Sequence, residues 1–171
     1  LEALDTSKYP EADQKIHAGL LQTLEDVYAD VRLISHNLLP TELETQGLVA
    51  ALQKLTEKLN VNAKTVFHLI TNGITERLNP KIEYQLYSVA LELVNNVLKH
   101  AQAQQVWISI SQNHEVVSLT VSDDGVGMSN VEKATGVGLR NISARVEALN
   151  GTWLIDSKPT TGTKVTIEVP V

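Results

Sequence analysis

The run Glu92-Leu-Val-Asn-Asn96-Val-Leu-Lys99-His100 constrains this chain more than any other segment. It sets an acid, an amide, a lysine and an imidazole inside an otherwise apolar stretch. At about 3.6 residues per turn, Glu92, Asn96 and Lys99 fall on one helical stripe. Leu86, Ala90, Leu93 and Val97 form a second stripe roughly 120° away. Such a helix can rest one face on a core while the other holds polar groups in a cleft.

The composition narrows the class. A chain of 171 residues can hold one well-buried domain plus an appendage. A formal net charge of −6 argues against nucleic acid as the main partner, because a phosphate-binding surface needs a basic excess. The count of zero Cys excludes disulfides and zinc–thiolate sites. No apolar run reaches the length of a membrane span, and no signal-peptide pattern opens the chain. It starts at Leu1 without Met, so it reads as a piece of a longer protein.

Along the chain, residues 1–10 read as a polar connector ending at Pro10. From Glu11 to Leu39 runs a helical pattern, with Ile16, Leu20, Thr23, Val27, Val31, Ile34 and Leu38 near heptad spacing, stopped by Pro40. A lone amphipathic helix of that length must bury its stripe, which suggests a helical bundle between two chains. Gln46 to Leu59 reads as a second helix. Ala63 to Thr71 alternates as a strand, and Asn72-Gly73 is a turn signal. Asn79-Pro80 caps and opens the polar-box helix, which should end near His100. Gln105 to Ser111 and Val116 to Ser122 read as strands joined by a turn at Asn113-His114. Gly138 to Leu149 is a helix closed by Asn150-Gly151. Thr152 to Asp156 and Lys164 to Val169 form a last hairpin.

Three segments follow one another in order: the polar helix, then Asp123-Asp124-Gly125-Val-Gly127 after a strand, then Gly136-Val-Gly138-Leu139 opening a helix. Thr161-Gly162-Thr163 precedes the last strand. With these boxes the chain resembles, over roughly residues 46 to 171, the ATP-binding catalytic domain of sensor histidine kinases. That domain belongs to the gyrase/Hsp90/histidine kinase/MutL ATPase group. The nearest match is the subfamily whose N-box reads Glu-x-x-x-Asn-x-x-Lys-His. Each glycine motif alone is weak; three boxes in order and at this spacing are specific.

The resemblance implies a two-layer α/β sandwich: a mixed, mostly antiparallel sheet with helices on one face. Residues 41–171 would form this ATP-binding domain. Residues 1–40 would supply the second helix of a dimerisation and phosphotransfer hairpin. The ligands implied are ATP and Mg²⁺. Asn96 would hold the metal, since a side-chain oxygen with phosphate and water oxygens suits octahedral Mg²⁺. Glu92 would be the catalytic acid, orienting water or polarising an attacking group. Lys99 would neutralise phosphate charge as a point cation. His100 would contact phosphate or close the helix, where a cation complements the dipole. Asp123 would read adenine, because a carboxylate only accepts and so takes the exocyclic amino hydrogen while rejecting guanine's oxygen. Gly125 and Gly127 would let backbone approach the base, and Gly136 and Gly138 the phosphates, with the helix start at Leu139 offering N–H groups. Thr163 would complete the adenine pocket through its hydroxyl or a water. Its loop reads Pro-Thr-Thr-Gly-Thr rather than the usual glycine pair before Thr. Met128 to Thr135, polar and aperiodic, would be a lid.

His36 sits on the long helix and invites a phosphoacceptor reading. The family's acceptor lies in a His-Asp motif near the start of the first hairpin helix, and neither His36 nor His17 has an Asp after it. The acceptor is therefore expected upstream of Leu1. The activity implied is transfer of the ATP γ-phosphoryl to a histidine, with relay to the receiver domain of a response regulator. The implied setting is a cytoplasmic homodimer formed through the N-terminal helix, with no nucleic acid and no membrane contact by this portion. The rivals are a serine kinase of the anti-sigma-factor type or an ATPase of the same group, and a nucleotide-sensing interaction module without chemistry.

Overall fold

In the computed structural model of the chain, residues 40–61, 64–128 and 137–171 are described. They fall within one compact unit, Leu39–Val171. The expected helix over Glu11 to Leu39, with His17 and His36, lies outside the described residues, as do Gly136 and nearly all of the expected lid.

The elements follow in the order α1 (Thr41–Thr45), α2 (Leu48–Leu59), β1 (Val66–Asn72), α3 (Pro80–Asn96), β2 (Gln105–Asn113), β3 (Val116–Asp123), α4 (Val137–Glu147), β4 (Thr152–Ser157) and β5 (Thr163–Pro170). Five strands form one sheet in the order β1-β2-β3-β5-β4. Only β1 and β2 pair in parallel; the other three pairings are antiparallel. A parallel pair needs a crossover connection, and α3 supplies it between β1 and β2. The mixed, mostly antiparallel sheet is the one the sequence implied.

Alternation explains the two faces. Val106, Ile108 and Ile110 on β2, Val117, Leu119 and Val121 on β3, and Val165, Ile167 and Val169 on β5 are all buried. Their neighbours in each strand point the other way and form a Ser/Thr-rich face that carries His68 stacked on Trp107 at 5.9 Å. An antiparallel sheet with one packed and one solvated face has this pattern.

Helix α3 lies against the buried face. The Asn79 side chain accepts a hydrogen bond from the Lys81 backbone N–H, and Pro80 opens the first turn. Leu86, Ala90, Leu93 and Val97 are all buried, as their spacing requires. Beyond Asn96 the helix widens into a π-helical turn, Val97–Ala101, closed by Gln102 with φ 51°. The helix thus ends one residue past His100, and its last turn departs from the α-helical wheel that the sequence suggests.

Two local expectations are corrected. The helix expected over Gln46 to Leu59 starts at Leu48, after Gly47 with φ 93°, and a separate short helix, α1, precedes it. Arg77 packs at this junction. Its side chain occupies the space a Cβ on residue 47 would need, and its Nη2 donates to the Leu43 carbonyl at 3.1 Å. The same nitrogen donates to Glu83 Oε2 at 2.6 Å, and Glu83, in the first turn of α3, is only 2% exposed. The hairpin turn also moves one residue along: Asn113 pairs with Val116, leaving His114 and Glu115 at the turn, with His114 at φ 47°.

Leu86 is fully buried between α3 and the sheet. Leu86→Ala should lower the unfolding free energy by roughly 2–5 kcal/mol, measured by chemical denaturation. A loss under about 1 kcal/mol would mean that this face of α3 is not part of the core.

Candidate functional site

A cavity of about 360 Å³ opens between the last turns of α3, the start of α4 and the ends of β3, β4 and β5. Leu93, Val97, Val121, Ile155 and Val165 give it apolar walls, and Asn96, His100, Asp123 and Thr163 bring polar groups to it. Mostly apolar walls with a few placed polar groups suit a flat heterocycle that needs orienting. Gly127, Met128, Gly138 and Leu139 complete the lining.

Asp123 ends β3 and is 7% exposed. Its Oδ1 accepts the Gly125 N–H at 2.9 Å. Burial pushes its pKa up, the Gly125 and Thr163 backbone N–H groups pull it down, and the neighbouring Asp124 charge pushes it up again. The net shift is upward. The native state therefore holds this proton more readily than the unfolded chain does. The charged carboxylate costs stability above the folded pKa, and that cost disappears as pH falls below the unfolded value. A bound donor facing Asp123 would offset it. Asp124 has a different job: its Oδ1 accepts the Gln104 and Gln105 backbone N–H groups at 2.8 and 2.9 Å, fixing the entry to β2.

Two glycines are required by close approach. A Cβ on Gly125 would run into the Ala101 carbonyl and methyl, and the next residue, Val126, donates its N–H to that same carbonyl at 2.8 Å. The loop after β3 is thereby laid directly on the end of the α3 helix. A Cβ on Gly138 would strike the Glu92 carboxylate and come to 3.6 Å from Asn96 Oδ1. The first turn of α4 thus lies on the polar stripe of α3 because residue 138 has no side chain.

The sequence-expected residues divide accordingly. Asn96, His100, Asp123, Gly127, Gly138, Leu139 and Thr163 are brought together around the cavity. Glu92 stands beside it, half-buried against Gly138, and Gly125 packs behind it on Ala101. Lys99 is exposed on the π-helical turn and does not line the cavity. Gly136 lies outside the described residues. Among those described, no helix is long and apolar enough to cross a membrane.

Sequence reasoning missed Ser157 and the supporting part of Gly162. Ser157 Oγ accepts the Met128 N–H at 2.9 Å and contacts Thr163 Oγ1 at 2.9 Å. A Cβ on Gly162 would collide with the Asp123 carbonyl. A serine ending a strand carries no pattern of its own, so only the pairing of Ser157 with Thr163 in the final hairpin reveals it. Gly125→Ala should separate the loop from α3 and lower the melting temperature, measured by calorimetry. An unchanged melting temperature would show that the contact at Ala101 yields freely.

Comparison with known proteins places this geometry. The family model described as Histidine kinase-, DNA gyrase B-, and HSP90-like ATPase matches residues 81–171. Oxygen sensor histidine kinase NreB of Staphylococcus carnosus is 36% identical over 99% of this chain and 47% of its own length. The signal transduction histidine-protein kinase/phosphatase DegS of Bacillus subtilis is 34% identical over 77% of this chain and 36% of its own. The chain thus spans less than half the length of these curated relatives. The solved structure of Acinetobacter baumannii histidine kinase AdeS superposes with a TM-score of 0.57 at 21% identity, covering 95% of this chain and 86% of that one, which shows a shared fold. The matched region holds the helix, loops and hairpin that build the cavity, and the chain belongs to the histidine kinase-, DNA gyrase B- and HSP90-like ATPases, with an ATPase domain of the kind found in sensor histidine kinases.

Proposed function

We propose that the cavity binds ATP with adenine against Asp123 and Thr163 and its phosphates toward Asn96 and the start of α4, and that the whole protein transfers the γ-phosphoryl to a histidine. One observation carries this reading. Gly138 lets the N-terminal turn of α4 lie on Glu92 and Asn96, so a positive helix end meets an acid and an amide at the cavity edge. That combination suits a polyphosphate whose charge is to be held and redistributed.

Mg²⁺ fits the donor set. A cation here would be held by Asn96 Oδ1, on the cavity lining, with oxygens from phosphate and water, as Mg²⁺ prefers. When bound, it would neutralise charge on the phosphates. Glu92, one turn before Asn96, would polarise the attacking imidazole. Lys99, exposed beside the cavity, would add positive charge, and His100 would contact phosphate. In the transfer, a ring nitrogen of the acceptor histidine forms a bond to the γ-phosphorus. The bond from that phosphorus to the bridging oxygen breaks, and ADP leaves. Most of the rate would come from positioning and charge neutralisation. Relay to an aspartate of a response-regulator receiver domain and dimerisation through the N-terminal segment belong to the same proposal, as does action at the cytoplasmic side of a bacterial sensor.

The test is calorimetric ATP binding followed by phosphotransfer to a supplied acceptor helix. Acid-labile phosphate on histidine is expected. Acid-stable phosphate on serine would favour the serine-kinase rival, and binding without transfer would favour a sensing module.

Asp123→Asn should keep the fold and weaken ATP binding by roughly 1.5–3 kcal/mol, the worth of a charge-assisted hydrogen bond. Wild-type affinity should also fall in acid as pH passes through the raised Asp123 pKa, a decline the variant lacks. Equal affinity of the two folded proteins at neutral pH would refute adenine reading by Asp123.

Asn96→Ala should reduce the Mg²⁺ stimulation of ATP binding more than binding itself, because the adenine end of the cavity is untouched. Equal stimulation in both proteins would remove Asn96 as the ligand.

A further inference from the structure

We infer that Ser157 is a positioning residue for base selectivity: it fixes the direction of the Thr163 hydroxyl, so that the cavity presents only hydrogen-bond acceptors to the base. The inference rests on the proposed adenine site and adds a residue that the sequence pattern did not single out.

The geometry follows from counting protons. A serine hydroxyl has one proton to donate and two lone pairs to accept with. Ser157 Oγ lies 3.1 Å from the Gly162 carbonyl, 2.9 Å from the Met128 backbone nitrogen and 2.9 Å from Thr163 Oγ1. A carbonyl can only accept, so the Ser157 proton goes to Gly162. A backbone N–H can only donate, so Met128 takes one lone pair. The remaining bond closes only if Thr163 donates its hydroxyl proton to Ser157. Thr163 lines the cavity, and with its proton turned back into the hairpin it shows the cavity lone pairs alone. Asp123, directly across the β3–β5 ladder from Thr163, is also acceptor-only while ionised. Two acceptors suit an exocyclic amino group, reached directly or through a water, and repel a carbonyl oxygen in the same place. Ser157 thus acts on the base through Thr163 without touching it.

Removing the hydroxyl frees the Thr163 proton to turn into the cavity, where it can donate to a carbonyl on the base. The test measures ATP and GTP affinities by calorimetry for wild type, Ser157→Ala, Ser157→Cys and Ser157→Thr. Wild type should prefer ATP. Ser157→Ala should lose about tenfold of that preference, as one redirected hydrogen bond allows. Ser157→Cys, close in size but a poor hydrogen-bonding partner, should lose it too, and serves if the alanine variant does not fold. Ser157→Thr keeps the hydroxyl and should restore it. Equal weakening of ATP and GTP in the alanine and cysteine variants, with the ratio unchanged, would overturn the inference, since a merely structural serine would behave that way. So would a Ser157→Thr protein that folds and lacks the preference. Wild type that binds neither nucleotide would overturn the site assignment itself, a result distinct from an unchanged ratio.

Discussion

The packing of α3 on the sheet is the interaction on which the rest depends. Its buried stripe is pinned by Leu86, Ala90, Leu93 and Val97. With that stripe fixed, the opposite stripe has no rotational freedom left, and Glu92 and Asn96 must face the start of α4. The end of the helix is used as well. The Ala101 carbonyl, freed from helical bonding at the terminus, receives the Val126 N–H and anchors the loop that follows Asp123. One element thereby sets both the Asn96 end of the cavity and the entry to its Asp123 end.

Position along the helix matters as much as face. The first turn of α3 is held by Glu83, whose carboxylate takes the Arg77 guanidinium and the Leu78 N–H. Arg77 also reaches the carbonyls of Leu43 and Glu44 at the end of α1. A carboxylate as deeply buried as Glu83 is tolerated only with such partners. The last turn is π-helical, a distortion that often occurs at functional sites, and it turns Lys99 and His100 outward beside the cavity. The helix is therefore bound at one end by charge and altered at the other where the ligand is proposed to sit.

Much of this was legible in the sequence, for physical reasons. Period-2 and period-3.6 patterns are enforced by burial, so β2, β3, α3 and α4 were readable, and the Asn79-Pro80 start was signalled by capping chemistry. The grouping of Asn96, His100, Asp123, Gly138 and Thr163 was readable because three boxes occur in a family order. What escaped depended on contacts between distant segments. At Gly47 the space for a side chain is filled by Arg77, thirty residues on, and no local pattern carries that. The π-helical turn ends at Ala101, where the distant Gly125 loop packs on it. Ser157 acquires its place only when β4 and β5 pair.

The strand order carries a consequence for assembly. β5 is the last of the five strands along the chain, yet it lies inside the sheet, between β3 and β4. Until it arrives, β3 has an open edge, and unpaired edges are adhesive. β4 and β5 pair locally as a hairpin, but β5 joins β3 through contacts whose ends are some forty residues apart, such as Asp123 with Thr163. Closing such loops is slow relative to local pairing. Thr163 enters with β5, so the step that seals the sheet is also the one that finishes the cavity, and an incompletely assembled domain would lack one of its walls.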